Sequence, residues 1–485
     1  MQLRSGRLLA PLPAPLQQGA RCPCCPKDRI SSLPDDVLLF VLARLRSARE
    51  AARTGVLSRR WLDLWKQLPE LSFSGVDVDL LEGALACVTR PTLDLLDIHL
   101  AAELESGCLS SLLRTAAKLS PECLIITLST CTSRLQDEEL PCLYRTTSLQ
   151  LTAVDLRIAP LVSGEFTVLK SLSLHSCYVD LYALLPICPC LCALKISGLN
   201  FNDCVGSTYV TIHSSSLEEL TVESSDSCSG FGVIDIMAPV LKKVEVTVGR
   251  VYKLRGLLLA PLVEELFWWH GYDLDDITFS EVFMAAIGLT WRLGGIGIRF
   301  GQEEPRHVKI LEMNICCTEA WLLGAEEGYS ITQAIERLPV ADFSDLELNI
   351  WAEGHAIGPL VLHLLQILPA IQRLKLDLDS YQSKEYACPV NCPCGQPESW
   401  RNCDISLMGL EVVEISGFDG KDHEVDLLKF IFRCAPKLET ISVAFNEGSL
   451  DEKIEEICNI SFAYPHVDYS VYSTMPPKIN EMQEQ

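Results

Sequence analysis

The sequence predicts an α+β protein in which a head of three short helices precedes an irregular solenoid built from one strand per repeat. Three observations predict it. Helix-start signals crowd into the stretch from Arg29 to Phe73; the spelling apolar-x-x-apolar-x-apolar recurs at intervals of 22 to 26 residues through the middle of the chain; and 48% of the 485 residues are apolar, enough for a large core.

In the head, Ser32 is placed to cap a first helix, Pro34 occupies a first-turn position where its missing N–H is harmless, and Asp35 and Asp36 sit near the positive end of the helix dipole. Val37, Leu38, Val41, Leu42 and Leu45 follow at three- and four-residue spacing. Ser47 with Glu50 reads as a capping box for a second helix, and Ser58 as the cap of a third that carries Trp61, Leu64 and Trp65. So short a stretch is near the lower limit of about 40 residues at which a domain buries its apolar groups unaided. Some of this surface is therefore expected to meet a partner.

Leu33-Pro34, then Leu38, Val41, Leu42 and Leu45, then Val56-Leu57-Ser58-Arg59-Arg60-Trp61 and Trp65, resemble an F-box of the plant type over the whole stretch. The resemblance implies docking onto a Skp-type adaptor of a cullin-based ubiquitin ligase. Position by position it nominates Leu33, Pro34, Leu38, Val41, Leu42, Leu57, Trp61 and Trp65 as the adaptor site. A plain helical hairpin packed on the next domain is the structural alternative.

The body repeats. Copies of the pattern are Leu93-Leu96-Ile98, Cys123-Ile126-Leu128, Thr146-Leu149-Leu151, Leu169-Leu172-Leu174, Leu191-Leu194-Ile196, Leu217-Leu220-Val222, Leu241-Val244-Val246 and Val263-Leu266-Trp268. Their spacing lies inside the range of about 20 to 29 residues found in leucine-rich repeats. The copy from Leu169 to Val179 also supplies Cys177 where the turn after the strand takes Asn or Cys. Later copies place Leu199 and Ser225 there, so the solenoid is expected to be irregular. Within each strand the last apolar pair points inward, and stacking completes a core that no single repeat could bury. A β-sandwich also gives short alternating strands, but not one strand per regular period.

Farther on, Val308-Leu311-Met313, Phe343-Leu346-Leu348, Ile371-Leu374-Leu376, Leu410-Val413-Ile415 and Leu438-Ile441-Val443 keep the strand spelling at longer intervals. A helix from Gly358 to Leu368, stopped by Pro369, fits between two of them. Trp400, Leu407, Leu410 to Ile415, Gly417-Phe418-Asp419-Gly420, His423-Glu424, Leu427-Leu428 and Cys434-Ala435-Pro436-Lys437-Leu438-Glu439 resemble the FBD region at the C-terminus of many plant F-box proteins. Its own logic is strand, Gly-rich turn, helix over Val425 to Phe432, and strand. The expected organisation is a flexible tail over 1–27, the F-box over 28–73, the leucine-rich-repeat-like solenoid over 74–387, the FBD region over 388–460 completing it, and a C-terminal tail over 461–485.

Charge divides unevenly. Residues 1–68 hold 12 Lys or Arg against 5 Asp or Glu, a balance of +7, which leaves −31 for the remainder of a chain whose net charge is −24. An acidic body argues against nucleic acid as partner, because phosphate backbones are bound by clustered Lys and Arg. It suits basic protein partners, or simply solubility. Twenty-two scattered cysteines in a long chain point to a reducing compartment, cytoplasm or nucleus, rather than to a stapled secreted domain. Pro11, Pro13 and Pro15 break the apolar run behind Arg4 and Arg7, against a secretory leader and equally against the amphipathic helix of a transit peptide. No uncharged apolar stretch reaches the about 18 residues of a spanning helix.

Catalytic and metal signals are weak. Cys388, Cys392, Cys394 and Cys403 could hold tetrahedral zinc, but they lack a C-x2-C knuckle and read more simply as reduced loop cysteines. His423-Glu424 has no second histidine at zincin spacing, Gly417 to Lys421 has only the Gly-Lys pair of a phosphate loop, and Gly295-Ile296-Gly297 lacks the third glycine of a dinucleotide fingerprint. All three read as turns. The sequence therefore predicts a non-catalytic receptor without cofactor: the head binds the adaptor and the repeats bind a target protein for ubiquitination. The target face, chosen on strand geometry, is Ser173, His175, Lys195, Glu223, Glu245, Phe267 and Trp269. The rival is a repeat scaffold that never joins a ligase.

Overall fold

The computed structural model describes residues 30, 33–101, 108–129, 137–159, 164–198, 208–224, 228–271, 289–301, 308–319, 331–352, 354–378, 400–401, 405–446 and 451–473. Over these it is a mixed α/β protein with few helices and one extended, mostly parallel sheet.

The head begins with Pro34 at the N-cap of the helix Asp35–Ala43, whose first turn carries Asp35 and Asp36. The helix Ala48–Arg53 opens on Ser47, whose hydroxyl accepts the Glu50 N–H at 3.3 Å. The predicted third helix is not an α-helix. Two 3-10 segments, Thr54–Val56 and Leu64–Gln67, bracket turns over 57–63. The large side chains at the helical spacing, Trp61, Leu64, Trp65 and Leu68, nevertheless all turn into the core. Arg60 locks the two ends of the head, its Nη2 and Nε lying 2.5 and 2.7 Å from Asp35 Oδ1. The helix Ala48–Arg53 rests on the first strand, Glu70–Ser74.

From that strand the sheet grows by parallel addition through Leu95–Leu100, Cys123–Leu128, Ser148–Ala159, Ser171–Val179, Ala193–Ser197, Glu219–Ser224, Lys243–Leu259 and Glu265–Gly271. Register matches the repeat spelling. Leu149, Leu172, Leu194, Leu220, Val244 and Leu266 form one column and Leu151, Leu174, Ile196, Val222, Val246 and Trp268 the next, each at most 4% exposed. Burying one such side chain contributes about 1.5–3 kcal/mol, so the columns dominate the stability of the sheet. Cys177, expected in the turn after the strand, lies inside the strand Ser171–Val179 and pairs with Leu156; it is buried, with Leu151, Ala153 and His175 carbonyls around its sulfur, and burial pushes its thiol up to about 12. The turn positions Leu199 and Ser225 lie outside the described residues.

Among the described residues the sheet departs from a simple ladder where Asp137–Glu139 adds to the second half of Ser148–Ala159, and in two further places. The strand Lys243–Leu259 outruns its neighbours, and its second half pairs with Cys228–Met237, which pairs in turn with Thr208–His213, as a side sheet. The strand Leu289–Phe300 runs antiparallel to both Glu265–Gly271 and Lys309–Glu319, after which parallel pairing resumes through Asp345–Trp351, Arg373–Leu378, Val412–Phe418 and Thr440–Phe445. Gly295 and Gly297, predicted as a turn, lie inside that reversed strand; a Cβ on either would strike the Trp269 ring. Glycine inside a strand marks such a close approach. Last, Asp468–Ser473 closes the sheet where the sequence predicts a tail from 461. Its inward apolar pair, Tyr469 and Val471, is too short a run to stand out after Pro465. The helices Gly358–Ile367 and Asp422–Cys434 stop before Pro369 and Pro436, as predicted, and touch each other.

Candidate functional site

The structure divides the eight nominated head residues by face. Leu38, Leu42, Trp61 and Trp65 are buried in the chain's own core, a correction to the expectation that they meet a partner; their role is to hold the head together. Leu33 is half-buried, Pro34 is exposed, and Val41 and Leu57 are exposed. Beside these two stand apolar side chains that spacing alone did not single out: Phe40 at 61%, Val56 at 90% and Leu62 at 52% exposure. Arg44 lies over the Phe40 ring at 4.9 Å. The helix Asp35–Ala43 reads DDVLLFVLA, apolar nearly all round once past its first turn, and such a helix is covered on more than one side. That composition was the available signal.

The seven residues nominated on the repeats fall in two adjacent rows on the solvent face of the sheet. Register runs Ser173, Lys195, Thr221, Glu245, Phe267 in one row and His175, Ser197, Glu223, Thr247, Trp269 in the other. His175 Nδ1 lies 2.7 Å from Ser197 Oγ, and Lys195 Nζ lies 3.1 Å from Glu223 Oε1. Phe267 is exposed, Trp268 buried and Trp269 half-buried, so the alternation holds through the three rings. Past the reversed strand the rows continue into charge. Arg299 Nη2 sits 2.6 Å from Glu347 Oε1, while its Nε is 3.9 Å from Glu312 Oε2. Burial, with Glu347 alongside, holds the Glu312 carboxyl above its usual range. Next to this lies a groove of about 1510 Å³ walled by Glu245, Phe267, Arg299, Asp345, Glu347 and Arg373. Arg299, Glu312 and Glu347 escaped the sequence reading because the reversal decides which row they join.

A third cluster is the turn before the helix Asp422–Cys434. Glu424 is buried and its Oε2 accepts the N–H groups of Asp419 and Lys421, each at 3.1 Å. Burial pushes its carboxyl up to about 7, against the lowering effect of the Lys421 amide and ammonium. A carboxyl raised in the fold contributes stability below its unfolded value, near 4.5, that is lost as pH rises through about 7. Glu424→Gln keeps the acceptor without the charge. Urea midpoints of variant and parent should therefore diverge from pH 5 to pH 8, the variant gaining; a constant difference across that range would refute the assignment. Buried His423, lowered to about 4, titrates in both proteins and cancels in the comparison.

The cysteines 388, 392, 394 and 403 lie outside the described residues. Among the described residues no three metal-ligating side chains come together, and no helix is long and apolar enough to cross a membrane.

A small helical head with an exposed apolar face, set on the first strand of a long repeat sheet with a charged open face, defines a protein with two separate candidate interaction surfaces. The comparisons identify its family. A profile described as FBD matches residues 407–443. The F-box/FBD/LRR-repeat protein At4g00315 of Arabidopsis thaliana is 30% identical over 471 residues, 90% of this chain and 98% of that one. The FBD-associated F-box protein At5g60610 of the same plant is 24% identical over 442 residues, 86% of this chain and all of the relative. The chain belongs to the plant F-box/FBD/LRR-repeat family. Some matches are partial: the F-box protein At1g67390 of Arabidopsis thaliana is 46% identical over 63 residues, and the match spans only 13% of its length. No solved structure matches the chain.

Proposed function

We propose that the chain is the substrate-recognition subunit of a Skp-cullin-F-box ubiquitin ligase, working in the cytoplasm or nucleus. The three-helix-like head is its F-box and docks on a Skp-type adaptor; the leucine-rich-repeat solenoid, completed by the FBD region, holds the target. The subunit supplies no reacting group. Its contribution is proximity, since tethering a target lysine near a charged ubiquitin carrier turns an encounter into a local reaction. The observation that carries this reading is the exposed apolar surface of the head, concentrated on Phe40, Val41, Val56, Leu57 and Leu62, in a chain related over nearly its whole length to an F-box/FBD/LRR-repeat protein. Large apolar side chains left exposed in such number on one small folded segment are candidates for an interaction site.

Co-expression with a Skp-type adaptor tests it. The full chain should co-purify with the adaptor, and Leu33→Ala combined with Pro34→Ala should weaken capture. An intact head that captures no adaptor would leave the rival reading, a repeat scaffold outside any ligase. Proximity labelling under proteasome inhibition, from the full chain and from Leu57→Asp, separates the two surfaces: target neighbours should persist in the variant while adaptor neighbours vanish.

A further inference from the structure

Three consecutive repeats return to the sheet by a strand. After Ala193–Ser197, Glu219–Ser224 and the first half of Lys243–Leu259, the chain comes back through Thr208–His213, Cys228–Met237 and the second half of Lys243–Leu259; elsewhere the returns include the helices Leu181–Leu184, Gly358–Ile367 and Asp422–Cys434. These three return strands are the parallel side sheet. Its inner residues Val210, Ile212, Ile234, Ile236 and Leu254 join the buried core, and a Cβ on Gly256 would strike the buried Trp268 ring across that core. The outer face of the side sheet is therefore the back of the molecule, on the far side of the core from the rows that hold His175 and Trp269.

That outer face is apolar where a solvated sheet is polar. Tyr209, Val233, Met237, Leu257 and Leu259 stand on it, and all but Val233 are exposed. Parallel sheets are normally covered on both faces, and their strands then read as almost unbroken apolar runs. Residues 232–237 and 254–259 read that way, each run broken by a single charge: Asp235 in the first, Arg255 in the second. Neither is well answered within the chain. The Asp235 side chain is 30% exposed and meets only His213, Nε2 to Oδ2 at 3.4 Å, while exposed Arg255 makes no ion pair among the described residues. Register sets Asp235 beside Leu257 and Arg255 beside Val233, so the two charges are diagonal neighbours on one face.

One carboxylate and one guanidinium in an apolar face are matched by a second copy of the same face. A two-fold axis lying between two such faces, midway between Asp235 and Arg255, sets each carboxylate over the other copy's guanidinium and covers the exposed apolar side chains in the same step. Charge favours this occupant over one selected by sign. One Asp against one Arg leaves the described part of the face neutral, in a chain of net charge −24, so like-charged copies are least opposed there. We propose that the outer face of the side sheet joins two copies of this chain, Asp235 of each opposite Arg255 of the other. The inference goes beyond the receptor reading and uses neither the head nor the open face. In a receptor, such pairing would place two heads and two target faces in one assembly and raise the effective concentration of each for a bound target.

Sedimentation velocity of the purified full chain at about 1 to 100 μM, a range suited to a small interface, tests it. The parent should pass from monomer to dimer. Arg255→Asp should raise the dissociation constant at least about tenfold, because like charges then face each other twice, and Leu257→Asp should do the same. Asp235→Arg should also be monomeric on its own. An equimolar mixture of the Asp235→Arg and Arg255→Asp chains should regain the dimer, since in the mixed pair every cation again meets an anion. Arg255 and Leu257 are exposed, so their variants should keep the parental urea midpoint and carry the test even if Asp235→Arg folds poorly. A parent that stays monomeric throughout, parental pairing in Arg255→Asp or Leu257→Asp, or a mixture of two folded variants that stays monomeric overturns the interface. Loss of pairing in Leu57→Asp would move the contact to the exposed head and overturn it too. A monomeric parent whose proximity-labelled neighbours change in Leu257→Asp would give the face to another protein and overturn self-pairing.

Discussion

Leu57→Asp is expected to abolish capture of a Skp-type adaptor while the chain stays folded. Leu57 is 63% exposed, so the carboxylate is solvated in the free protein and destabilises it little. In a complex the same carboxylate would be buried against an apolar surface with no partner. Losing an apolar anchor and burying an unpaired charge together weaken binding by about 2–5 kcal/mol, a factor of about 30 to several thousand. Val56→Asp should behave alike. The contrast lies two helical faces away: Leu38→Ala and Trp61→Ala remove buried groups and should lower stability by about 2–5 kcal/mol, weakening capture only as far as the head unfolds. Pull-down of the adaptor alongside urea denaturation separates the two outcomes. Wild-type capture by Leu57→Asp, or loss of capture in Leu38→Ala at an unchanged midpoint, would show that the faces are wrongly assigned.

This division of the head was only half legible in the sequence. Periodicity placed Val37, Leu38, Val41, Leu42 and Leu45 on helical spacing, yet Leu38 and Leu42 face the core while Val41 and Leu45 face solvent. A helix with apolar residues on every side carries no stripe that tells inside from outside; the side that meets the helix Ala48–Arg53 and the Leu64–Gln67 segment settles it. The repeats were far more legible. Their two inward positions per strand alternate with polar residues, so a period of two and a spacing of 22 to 26 residues dictate both burial and register, as the aligned columns from Leu149 to Leu266 show. What alternation cannot encode is strand direction. Ile296 and Ile298 bury equally well either way along the chain, and the reversal that carries Trp269 over Gly295 and Gly297 becomes visible only when neighbouring strands are placed. The same limit hid Arg299, Glu312 and Glu347, whose meeting depends on that reversal.

The FBD turn joins this logic to stability, and Gly417→Ala should be among the most damaging single changes in the chain. Gly417 ends the strand Val412–Phe418 at φ +73°, in the left-handed region, where the register with the next strand slips between Ile415 and Phe418. A Cβ there would fall on the carbonyl oxygen of Leu378, the last residue of the preceding strand. The neighbour is backbone and cannot swing aside. Left-handed strain of about 1–3 kcal/mol adds to overpacking of about 1–3 kcal/mol. The turn is also where two neighbouring repeats are joined, because Asn446 Nδ2 donates to the Gly417 carbonyl at 3.0 Å and to Asp419 Oδ1 at 2.7 Å, while Glu424 receives the Asp419 and Lys421 amides. Gly83→Ala is the matched control of opposite sign. That glycine lies in the helix Val78–Ala86 with nothing within 4 Å of an added Cβ, so alanine should stabilise by about 0.5–1 kcal/mol. Urea midpoints measured side by side should move in opposite directions, and a Gly417→Ala protein within about 1 kcal/mol of the parent would show that the strand end yields. The same turn lies within residues 407–443, where the FBD profile matches. Its Gly-Phe-Asp-Gly spelling is then accounted for by a bulge, a left-handed residue and a buried carboxyl that lets the next helix start, with no ligand required.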